Sequence, residues 1–91
     1  MQPSHHDHPK VMEMLNSTLR EMKGELGEVE GMSLKGDKKK MAKHMHHIYD
    51  EISDLIEKYE KTKEHKDLNH CFKRIELLKP AFVLNYNEIL H

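Results

Sequence analysis

The chain is 91 residues long, and its 15 Lys plus Arg against 16 Asp plus Glu leave a formal charge of −1. Such a length supports one small domain, whose limited core needs long helices or association to stabilise it. The near balance of charge supplies no broad field to draw in nucleic acid or an anionic membrane, and the single Cys71 excludes an internal disulfide.

Residues 1–8 have no apolar period and read as a disordered lead-in. His5, His6 and His8 lie close together there; three imidazoles on a flexible strand make a weak transition-metal chelate at most, and a plain polar tail is the simpler reading. Asp7 is placed to cap a first helix and Pro9 suits its first turn.

Helix 1 is expected over about 9–30, because Met12, Leu15, Leu19, Met22, Leu26 and Val29 alternate steps of three and four. Gly24 and Gly27 fall on its outer side, Gly31 is the expected C-cap, and Gly31 to Gly36 forms the connection. Gly31 to Lys38 superficially follows a phosphate-binding glycine loop, but Asp37 stands where the lysine belongs and no strand precedes it. Asp37 is the expected N-cap of helix 2 instead.

Helix 2, about 37–62, carries the most regular stripe: Met41, Met45, Ile48, Ile52, Leu55 and Tyr59, flanked by Ala42, Tyr49 and Ile56. Its lysines (38, 39, 40 and 43) come first and its acids (50, 51, 54 and 57) later, which opposes the helix dipole. Helix 1 running antiparallel would bring Glu25, Glu28 and Glu30 beside the lysine end. The two stripes match in length, about 26 and 27 Å at 1.5 Å per residue, so Val29 is expected near Met41 and Met12 near Tyr59.

A polar stretch, Glu60 to Lys66, reads as the second turn, with Asp67 capping a third helix. Leu68, Cys71, Ile75, Leu78, Phe82 and Ile89 continue the stripe, with Asn85 in the remaining seam position and Tyr86 beside it. Pro80 either kinks this helix or divides it into about 67–79 and 81–90. The expected fold is therefore all-α: an antiparallel hairpin extended to an up-down-up three-helix bundle occupying residues 9–91.

Catalytic patterns are lacking. Cys71 lies on the apolar stripe, and no metalloprotease, paired-cysteine, nucleophile-elbow or dinucleotide pattern occurs, so neither an enzyme nor a cofactor is expected. His44, His46, His47, Asp50 and Glu51 stand at helical spacings that could share a metal ion or respond to pH, the alternative reading of this His-rich chain. No arginine accompanies Lys35, Lys38, Lys39, Lys40 and Lys43, which disfavours nucleic acid. The longest apolar run, Ala81 to Leu84, falls far short of the ~20 residues of a membrane span, and no secretory pattern is present, so a cytoplasmic protein is expected.

What remains is surplus hydrophobicity near the C-terminus. Phe82 and Ile89 satisfy the seam, Val83, Leu84 and Leu90 project elsewhere, and Tyr86 sits at the border. These six residues are the expected partner-binding surface of a small interaction module, adaptor-like, chaperone-like or regulatory, that docks a partner helix or itself.

Overall fold

The computed structural model describes residues 8–91 and consists of three helices: α1 (His8–Glu30), α2 (Asp37–Thr62) and α3 (His65–Leu90). The expected capping role of Asp7, the His5–His6 pair and the lead-in up to that point lie outside the described residues. The molecule is a rod of 51 × 19 × 17 Å.

Helix direction follows from the pairs that bridge the elements. Glu30 Oε2 meets His46 Nε2 at 2.8 Å, while His8 Nδ1 meets the Tyr59 hydroxyl at 3.1 Å at the other end, so α1 and α2 are antiparallel. Arg74 pairs with Glu51 and Asn85 with His44, so α3 reverses again. Lys79 to Glu21 and Tyr86 to Glu28 then set α3 parallel to α1, completing the up-down-up bundle.

The core is built from the stripes. Met12, Leu15, Met22, Leu26 and Val29 of α1 are buried with Met45, Ile48, Ile52, Ile56 and Tyr59 of α2 and Leu68, Cys71, Phe82 and Ile89 of α3. Leu19, Met41 and Leu55 are half-buried at its margin. Ile56, a flanking position of the α2 stripe, is buried more deeply than Leu55 because α2 lies between two partners and packs most extensively on α3. A helix covered from two sides buries a wider arc than a single seam.

The helix ends depart from expectation. Gly31 does not take the left-handed conformation of a glycine cap; its amide bonds back to the Gly27 and Glu28 carbonyls at 3.2 Å each, a tightened last turn. Gly36 is the glycine whose freedom is used, at φ 65° and ψ −133°, and it occupies the N-cap position expected for Asp37. Asp37 is instead the first residue of α2, where its carboxylate makes no capping bond but has the favourable sign for the helix dipole.

The second turn is shorter than the polar stretch implied. Thr62 ends α2, Lys63 closes it in the left-handed region at φ 55°, and α3 begins at His65 with Glu64 at its N-cap. Asp67 is therefore not the cap. It lies buried within the first turn of α3, accepting a hydrogen bond from Thr62 Oγ1 at 2.5 Å with Lys58 Nζ 3.9 Å away. The Thr62 hydroxyl oxygen in turn accepts the Glu64 amide at 3.2 Å, so one small network ties the two helices where they meet.

α3 continues through Pro80 rather than dividing there. Proline deprives the Glu76 carbonyl of its helical donor, but Glu76 and Pro80 are both exposed, so water can take the missing place.

Candidate functional site

The six residues singled out near the C-terminus fall into three environments. Phe82 and Ile89 are 0% and 3% exposed and belong to the core. Tyr86 is half-buried, and its hydroxyl donates to Glu28 Oε2 at 2.8 Å, a bond that also pushes its phenol above the ordinary range. Val83, Leu84 and Leu90 are not core residues: Val83 is half-buried, while Leu84 and Leu90 are 62% and 44% exposed.

Exposed apolar surface also extends further toward the middle of α3 than those six residues. Leu77, 63% exposed, stands seven residues before Leu84 on the same helical face, with Pro80 between them. Ile75, Pro80, Val83 and Leu84 line an open groove of about 650 Å³, edged by Glu76, Lys79 and Asn87. Leu77 and Pro80 are not among the six residues expected to bind a partner. The available signal was the seven-residue spacing of Leu77 and Leu84 on the side opposite the seam.

Ion pairs hold this face in place from behind. Arg74 grips Glu51 of α2 through two hydrogen bonds, Nε to Oε2 and, at 3.1 Å, Nη2 to Oε1, and this keeps the Glu51 carboxyl below its usual range. Lys79 Nζ lies 3.7 Å from Glu21 of α1. α3 is thus fixed to both neighbours while its outer arc is left uncovered.

The histidine cluster is dispersed. His44 bonds Asn85 at 2.9 Å, His46 bonds Glu30, and Glu51 is taken by Arg74, while His47 and Asp50 are exposed. Among the described residues no three His, Cys, Asp or Glu side chains come together as a metal site. Glu30 therefore answers the basic half of α2 through His46 rather than through a lysine. Cys71 is 1% exposed, and burial together with nearby Asp67 pushes its thiol up, which leaves a protonated, packed sulfur rather than a nucleophile. No described helix is long and apolar enough to cross a membrane.

No protein-family model, curated protein or solved structure matches the chain.

Proposed function

We propose that the protein is a non-catalytic helical interaction module that presents the outer face of α3 to another helix. The observation that carries this reading is the pair Leu77 and Leu84, both more than three-fifths exposed, beside a groove with an apolar floor. Exposed leucines one heptad apart, edged by charged and amide groups, are what a docking helix covers with its own apolar stripe. Core packing accounts for Phe82 and Ile89, so docking rests on Leu77, Pro80, Val83 and Leu84.

A photocrosslinking amino acid placed at Leu84 tests the reading in the cells that make the protein. Capture of a protein at position 84, whether the same chain or another, with none from the solvent-facing position Glu60, is the expected result. Equal capture at both positions, or none at 84, would overturn it.

A further inference from the structure

We propose that the outer face of α3 pairs with the same face of a second copy of this chain, the two helices running antiparallel about a two-fold axis near Pro80 and Ala81. This rests on the helix-docking reading and names its partner. At 100° per residue, Lys73, Leu77, Leu84 and Glu88 fall within an arc of about 60° on the helix. All four are exposed.

Antiparallel pairing about that axis sets Leu77 opposite Leu84 of the second copy and Lys73 opposite its Glu88, and symmetry repeats both pairs. An isologous interface must be complementary to itself, and this arc is. Parallel pairing would instead place lysine on lysine and glutamate on glutamate, so charge selects the antiparallel arrangement. The same two groups stand apart in their own chain. Their neighbours Arg74 and Lys79 are engaged by Glu51 and Glu21, whereas neither Lys73 nor Glu88 forms an ion pair with another described residue.

The apolar centre supplies the association, and the charges at its ends set the register. From Lys73 to Glu88 the face spans about 22 Å and is one helix wide. That is small against the ~1,200–2,000 Å² of stable interfaces, so the dimer is a weak, reversible one.

Sedimentation velocity on the full chain over a concentration series, at low ionic strength, decides the matter. The unaltered protein should show a concentration-dependent monomer–dimer equilibrium that Leu84→Glu abolishes while circular dichroism shows the helices intact. Lys73→Glu and Glu88→Lys should each weaken the dimer about tenfold, since each replaces two attractive pairs with two repulsive ones. The double variant Lys73→Glu/Glu88→Lys should restore it. A sedimentation coefficient that stays monomeric to millimolar concentration overturns the proposal, and so does a double variant no tighter than the singles. Monomeric sedimentation alongside a crosslink from position 84 to a different protein removes self-pairing alone, whereas no crosslink from position 84 removes the docking reading with it.

Discussion

Lys63 closes α2 in a conformation that glycine adopts without strain and a lysine does not, with its amide bonded to the Tyr59 carbonyl at 2.6 Å. Lys63→Gly is expected to raise unfolding free energy by about 0.5–1 kcal/mol, read as a higher urea midpoint at unchanged slope. Gly36 is the opposite case. A Cβ there meets nothing within 4 Å, so space is not the obstacle, but its positive φ with ψ −133° is a backbone that side chains rarely adopt. Gly36→Ala should cost about 1–3 kcal/mol by the same measurement, while Gly31→Ala, in ordinary helical-end geometry, should not. Four glycines are visible in the sequence, yet which of them turns the chain depends on the angle at which α2 leaves the loop.

At the scale of the helices, α1 carries two residues and α3 one that weaken them locally. Gly24 and Gly27 lie in open space on the outer side of α1, so replacing both with Ala should stabilise the protein by about 1–2 kcal/mol with no repacking, checked by thermal denaturation. Pro80 is tolerated within α3 because the helix is bonded to its neighbours on both sides of it, through Arg74 to Glu51 and Tyr86 to Glu28. The Arg74–Glu51 bond gives the stability a pH dependence whose sign is fixed. Glu51 is held below the ordinary value of 4.5, first by the Arg74 hydrogen bond, so the folded state favours its charged form. That contribution is present above about pH 4.5 and is lost as pH falls through the lowered value. Arg74→Met should therefore lower the denaturation midpoint at neutral pH and flatten its decline as pH falls below about 4.5. A variant that keeps the parent's acid slope would show that the ion pair contributes nothing measurable. The stripes and their alternation of three- and four-residue steps are legible along the chain, as is the order of the helices. Continuity through Pro80 is not, because it depends on whether the orphaned Glu76 carbonyl faces water or the core.

For the whole molecule, α2 is the central member: it packs most extensively on α3, less on α1, and α1 touches α3 least. Amide exchange should consequently be slowest in the middle of α2 and α3 and faster along α1, and equal protection in all three helices would contradict that order. The Gly-bearing half of α1, from Met22 onward, should open first. The seam of α3 and its uncovered face differ in how far local spacing specifies them. A seam can be read from spacing, so Phe82 and Ile89 are placed inward and Leu84 and Leu90 outward from sequence. The extent of an uncovered face cannot, because it depends on how far round α3 the other two helices reach. They stop short of Leu77 and Pro80, so exposed apolar surface reaches back to those residues as well as to Leu84 and Leu90. Periodicity specified three amphipathic rods and their antiparallel succession, since apolar spacing and turn residues are local properties of the chain. The second buried arc of α2, the dispersal of its histidines among Glu30, Asn85 and solvent, and the exposed strip of α3 arose only when the rods were set side by side, because each depends on which neighbour arrives and at what angle.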